Sequence, residues 1–191
     1  MKKIITVVLL LCIAAFAQQK GSFTDSRDKK TYKTVKIGEQ TWMAENLNYN
    51  ASGSKCYDNQ PTNCDKYGRL YDWNTAKSAC PGGWHLPSDG DWNVLMKFVN
   101  PSCLGNEKFC ANAGAKLKAT NDFGFAALPG GLGNHKGDFG DIGISTIWWS
   151  SSEMINTNNV YVRTISSSNR DDVRRGNLNK TNLFSVRCVL D

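Results

Sequence analysis

The clearest pattern in the chain is the placing of Trp92, Leu95, Met96 and Val99 at i, i+3, i+4 and i+7, one apolar stripe of an amphipathic helix. Ser88 stands before it as an N-cap, with Asp91 three residues on to complete a serine–acid box. Pro87 pushes Leu86 out of helical geometry, and Asn100-Pro101 stops the run. A second helix is expected in "YGRLYDWNTAKSAC", residues 67–80, where Leu70, Trp73, Ala76 and Lys77 are spaced by threes and fours. Pro81-Gly82-Gly83 cannot continue it, so the chain crosses through Trp84-His85-Leu86 in extended form before the next cap.

Elsewhere the period is two. Thr31 to Ile37, a Gly38-Glu39 turn and a run through Trp42 to Ala44 predict a β-hairpin, preceded by turn chemistry at Asp25 and Asp28. "FGFAALPGG" reads as a short strand broken at Pro129, "LGNHKGDFGDIG" as a glycine-rich loop, and "ISTIWWSSSE" and "NNVYVRTI" as strands. The closing "LFSVRCVL" puts Phe184, Val186, Cys188 and Leu190 on one face. Two helices among many short strands and long loops predict an α+β fold in one domain.

The N-terminus changes the picture of compartment. Lys2 and Lys3 precede an apolar stretch from Ile4 to Ala14 that is too short to span a bilayer, followed by Ala15-Phe16-Ala17. Residues 1–17 are expected to be an export signal cleaved after Ala17, leaving residues 18–191 as the mature domain. Leu11 before Cys12 is too large for a lipoprotein attachment site. Loss of Lys2 and Lys3 lowers the formal net charge from +6 to +4, mild for a nucleic-acid binder. No second stretch in the mature chain approaches membrane-spanning length. Periplasm, cell surface and medium all remain open.

Seven cysteines become six without Cys12. In an exported chain an even number implies disulfides, with fifteen connectivities available to six thiols. Cys56 with Cys64 and Cys103 with Cys110 would each close a small local loop, which leaves Cys80 for Cys188. With no CxxC and only His85 and His135 as imidazoles, a zinc site lacks its ligands.

"CPGGWHLPSDGDW" and the tail "NLFSVRCVLD" resemble segments of the formylglycine-generating enzyme (sulfatase-modifying factor) superfamily, whose fold is C-type-lectin-like. More closely, "VKIGEQTWMAENLNY", "YGRLYDWNTA", "CPGGWHLPSDGDW", "FGFAALPGG", "WWSSSE" and "FSVRCV", in that order, resemble the Fibrobacter-type major paralogous domain of exported bacterial proteins. The resemblance implies a lectin-like α+β domain with two main helices, in which the end of the first helix is tied to the last strand. It implies no activity, because a shared fold does not confer one. The oxidases of the wider superfamily hold copper on a cysteine pair before their final strand. Here no cysteine lies between Cys110 and Cys188, so that chemistry lacks its soft ligands.

Other chemistry is thin. His85 is explained as part of the corner into the helix, and no G-x-S-x-G setting supports a serine triad. Asp138 and Asp141, three apart in the glycine-rich loop, are candidates for calcium, though solvated loop acids explain them as well. A binding role needs aromatic and polar surface. Alternation puts one of Trp148 and Trp149 in the core and leaves the other either a surface ring, bordered by Tyr161, Arg163 and the arginines at 170, 174 and 175, or buried as well by sheet or loop; His135 in the glycine-rich loop is a separate candidate ligand contact. Asp171 and Asp172 interrupt those arginines and speak against a nucleic-acid stripe. The reading that follows is an exported, non-catalytic binding or surface-interaction domain with no cofactor. Its preferred ligand is a glycan or plant polysaccharide. The alternatives are a structural or protein-binding component of the cell envelope, or an enzyme of unrecognised mechanism that gathers His135 with Asp138 and Asp141.

Overall fold

The computed structural model describes residues 18–118, 123–166 and 171–191. The expected export signal, residues 1–17, and Arg170 lie outside the described residues.

The chain begins with β1 (Lys20–Thr24), β2 (Thr31–Ile37) and β3 (Gln40–Met43), then α1 (Pro61–Tyr67), β4 (Leu70–Tyr71), α2 (Trp73–Ala76) and β5 (Trp84–His85). There follow α3 (Asp89–Val99), β6 (Phe109–Cys110), α4 (Ala113–Leu117), β7 (Gly130–Gly133) and β8 (Phe139–Ile142). The last part is strand throughout: β9 (Ser145–Glu153), β10 (Asn159–Ser166), β11 (Val173–Asn179), β12 (Phe184–Ser185) and β13 (Val189–Leu190). One sheet has the order β1-β2-β3-β13-β5. The other runs β4-β12-β9-β10-β11-β6, with β7 parallel to β9 and antiparallel to β8.

This is a β-rich, two-sheet fold, and it corrects the α+β expectation of two main helices. Among the described residues, α3 alone runs longer than two turns. It is capped as its sequence requires: Ser88 accepts from the Asp91 N–H, Asp91 accepts from the Ser88 N–H, and Trp92, Leu95, Met96 and Val99 are buried. The other expected helix does not form. Leu70 and Tyr71 pair with Ser185 and Phe184, and Asp72 caps only the single turn of α2. The threefold spacing there reflects burial of Leu70, Trp73 and Ala76 against strands, a tertiary demand that overrides the local period.

Strand β9 is central and covered on both faces. On one side Trp148 packs with Trp42, Trp92 and Phe125 beneath α3; on the other Trp149 packs with Tyr71, Trp73 and Phe184. The C-terminal run, expected as one strand, divides. Phe184 pairs into the sheet of β9, while Val189 pairs with Trp42 and His85 in the other sheet. Three disulfides staple the frame: Cys56–Cys64, Cys80–Cys188 and Cys103–Cys110. The second ties the turn after α2 to the residue before β13 and closes the longest loop, with a separation of 108 residues.

Candidate functional site

The two tryptophans offered as a stacking platform are both fully buried. Alternation exposes one of two neighbours only where one face of the sheet is open, and β9 has a core on each side. The Trp148 Nε1 donates to Asn46 Oδ1 at 2.8 Å and the Trp149 Nε1 to the Tyr71 carbonyl at 2.7 Å, so even their polar edges are used internally. Arg163 is also buried rather than presented to a ligand. Its Nη1 donates to Asp89 Oδ1 at 2.8 Å and its Nη2 to Asn93 Oδ1 at 2.6 Å, pinning the start of α3 to β10. Arg175 adds a second clamp on Asp89, Nη2 to Oδ2 at 2.9 Å, while its guanidinium lies over the half-buried Tyr161 ring, 4.1 Å from the centroid. Burial raises the Asp89 pKa, but hydrogen bonds from Arg175 and the charge and hydrogen bonds of Arg163 outweigh it and hold the carboxyl below its ordinary value.

The loop acids also have structural work. Asp138 Oδ2 accepts from Asn134 Nδ2 at 3.0 Å and closes the β7–β8 turn. Asp141, at positive φ near the end of β8, accepts from the Ser145 hydroxyl at 3.2 Å across the turn into β9. No group of three metal-ligating side chains forms among the described residues. His135 is exposed on a hollow of about 290 Å³ shared with Asp72, Asn74 and Lys180, not with Asp138 or Asp141. His85 bridges Asp191 Oδ1 at 2.6 Å and Asp91 Oδ2 at 3.4 Å, linking the final residue to the cap of α3.

What the sequence reading missed is a polar trough, which meets the His135 hollow at Lys55. Its wider part, about 620 Å³, lies between the β1–β2 ribbon and the end of α1. A narrower part, about 470 Å³, follows the loop closed by Cys56–Cys64. The two share Lys30, Asn48, Cys64 and Asp65 and so lie side by side along that wall. The local sequence builds this shape. Pro61 starts α1 at a position where no N–H is needed. Gly68 ends it at φ 79°, hard against the 46–47 backbone, where a Cβ would lie 2.7 Å from the Asn46 Cβ and 2.9 Å from two carbonyl oxygens. Arg69 then donates from Nε to the Ser54 hydroxyl at 2.8 Å and fastens the disulfide loop.

Arg187 and Asn46 form the floor. The fully buried guanidinium donates to Asn46 Oδ1 from Nη2 at 2.7 Å and from Nε at 3.1 Å, and from Nη1 to the Met43 and Phe125 carbonyls. No carboxylate lies within ion-pair distance of it among the described residues, and Glu45 acts on it only through its field. Burial therefore pushes its pKa down to about 9, against the opposing field of Glu45. Above the floor, Asn48 donates its N–H to the Tyr32 hydroxyl at 3.1 Å. Burial pushes the Tyr32 phenol up to about 12 despite that bond. Amides, hydroxyls, carboxylates and ammonium groups all face one elongated hollow, a mixture suited to a ligand rich in both donors and acceptors.

Comparison with known proteins gives one match. Residues 35–190 match the family described as the Fibrobacter succinogenes major domain. No curated protein and no solved structure matches the chain.

Proposed function

The chain belongs to the Fibrobacter succinogenes major domain family, and on that premise we propose that it is an exported, disulfide-tied, non-catalytic domain that binds a polysaccharide along the trough. The observation that carries this reading is the adjacency of the two hollows, which share Lys30, Asn48, Cys64 and Asp65. A trough that long and polar suits an extended hydroxyl-rich chain better than a compact apolar molecule. Three disulfides within one domain favour an oxidising compartment, whether periplasm, cell surface or medium. Neither histidine lines the trough, and its carboxylates Asp28, Glu45 and Asp65 are spread among seven cations.

A protein-binding role in the envelope is the second reading. It is favoured by Val94 and Phe98, which are one turn apart on α3 and respectively 53% and 45% exposed.

The deciding experiment is pull-down and titration of the oxidised protein against soluble and insoluble polysaccharides, alongside Asn50→Ala and Asp65→Ala, two exposed trough positions. Binding weakened by these substitutions at unchanged melting temperature supports the trough as the site. Absence of binding to any polysaccharide would overturn the glycan reading and leave the α3 face to be tested against envelope proteins.

A further inference from the structure

The trough carries a marked excess of positive charge. Lys20, Lys30, Lys33 and Lys66 rim the wider part over the Arg187 floor, and Lys55 and Arg69 continue the positive line into the narrower part. Against these seven cations stand three carboxylates, Asp28, Glu45 and Asp65. The excess of four equals the formal charge of residues 18–191, +6 less Lys2 and Lys3, so the rest of that chain is balanced. Among the described residues, no carboxylate lies within ion-pair distance of Lys20, Lys30 or Lys33. The charge is therefore spread along a channel and left for something else to neutralise.

Deepening the polysaccharide reading, on which it rests, we propose that the trough takes an acidic polysaccharide whose carboxylates recur along the chain and meet the lysines of the β1–β2 rim above Arg187. A small anion would require one focus of donors, whereas these cations are distributed over both hollows. A single-stranded nucleic acid would call for open aromatic faces on which its bases stack. The two half-exposed rings here already carry cations, Arg27 at 3.7 Å from the Tyr49 centroid and Lys66 at 4.8 Å from that of Tyr67. The same covering removes the usual platform for a neutral sugar face and leaves charge and hydrogen bonding as the means of recognition. Asp28, Asp65 and Glu45 supply acceptors for the hydroxyls between carboxylates.

The test compares polygalacturonate and alginate with neutral glucan, neutral xylan and single-stranded DNA, using the oxidised protein and a Lys20→Gln, Lys30→Gln, Lys33→Gln triple variant. All three lysines are exposed, so the fold has little stake in them. Tighter binding of the uronate polymers than of every other probe, weakened about tenfold in the triple variant and likewise by added salt, is the expected result. Equal or better binding of a neutral polysaccharide, indifferent to salt, overturns the acidic ligand while leaving the polysaccharide reading standing. DNA binding as tight as the uronates reduces the effect to general polyanion attraction and overturns the proposal. No binding of any polysaccharide overturns both.

Discussion

Asn46 Oδ1 accepts three hydrogen bonds, from Nε and Nη2 of Arg187 and from Nε1 of Trp148, and so joins the trough floor to the core. Its Nδ2 donates to the Tyr67 carbonyl at 2.8 Å, which adds the end of α1. One amide thus holds the final β12–β13 crossing, the central strand and the disulfide loop. Asn46→Ala would leave a buried guanidinium short of acceptors and an indole N–H unpaired, a loss of about 3 kcal/mol. Urea denaturation measures it. A change below about 1 kcal/mol would mean that water replaces the amide and that the floor is wetter than its burial indicates.

Asp89 holds two arginines of neighbouring strands, one fully buried and one half-buried. Removing it as Asp89→Ala leaves Arg163 charged and uncompensated under α3, and about 3–5 kcal/mol of stability is lost. Arg175→Gln removes only the outer clamp and costs less. The sign of the pH effect follows from the lowered carboxyl. Its stabilisation is complete above the unfolded value of 3.8 and disappears as pH falls through the lower folded value. Acid denaturation followed by circular dichroism therefore shows a shallower low-pH limb in Asp89→Ala than in wild type. Parallel limbs would show that other carboxyls, Asp25 and Asp91 among them, dominate acid unfolding.

The long disulfide outweighs the short ones. In the chain-entropy account, closing the 108-residue separation of Cys80–Cys188 stabilises by about 5 kcal/mol, against about 2.5 for the separations of 8 and 7. A Cys80→Ser, Cys188→Ser pair should lower the melting temperature further than the Cys103→Ser, Cys110→Ser pair. Equal shifts would place residual structure between residues 80 and 188 in the unfolded chain.

How much of this was legible in the sequence depended on how local its cause was. The α3 cap and stripe, the β2–β3 hairpin and the three cysteine pairs rest on spacings of a few residues or on elimination, and they could be read. The two-main-helix expectation failed because Leu70 and Tyr71 have their partners at Ser185 and Phe184, more than a hundred residues away. Trp148 and Trp149 misled for the same reason, since nothing near them reveals that both faces of β9 are covered. The trough was missed because its walls come from residues near 20–34, 44–69, 124–128 and 187, with no motif binding them together. Arg187 gave no local signal either: it falls on the face of "LFSVRCVL" opposite Phe184, Val186, Cys188 and Leu190, where alternation alone would send an arginine to solvent, yet it is buried.

The alkaline limb reports on the trough wall. Burial raises the Tyr32 phenol to about 12, so below pH 10 both folded and unfolded states keep the proton and its contribution is intact. Between about pH 10 and 12 the unfolded state ionises first, and stability falls as pH rises. Tyr32→Phe cannot ionise and should flatten that fall, while costing about 1 kcal/mol at neutral pH because the Asn48 N–H loses its acceptor. Tyr71 is buried more deeply and its phenol is raised well above the ordinary value, so part of the fall persists in the single variant and shrinks further when Tyr71→Phe is added; Arg187, lowered to about 9, contributes a slope of the opposite sign that is common to all the proteins compared. Stability curves from pH 8 to 12 for wild type and both variants separate the two phenols. An unchanged alkaline slope in Tyr32→Phe would mean that the phenolate reaches water through the trough mouth, and that the wall opens more readily than its burial implies.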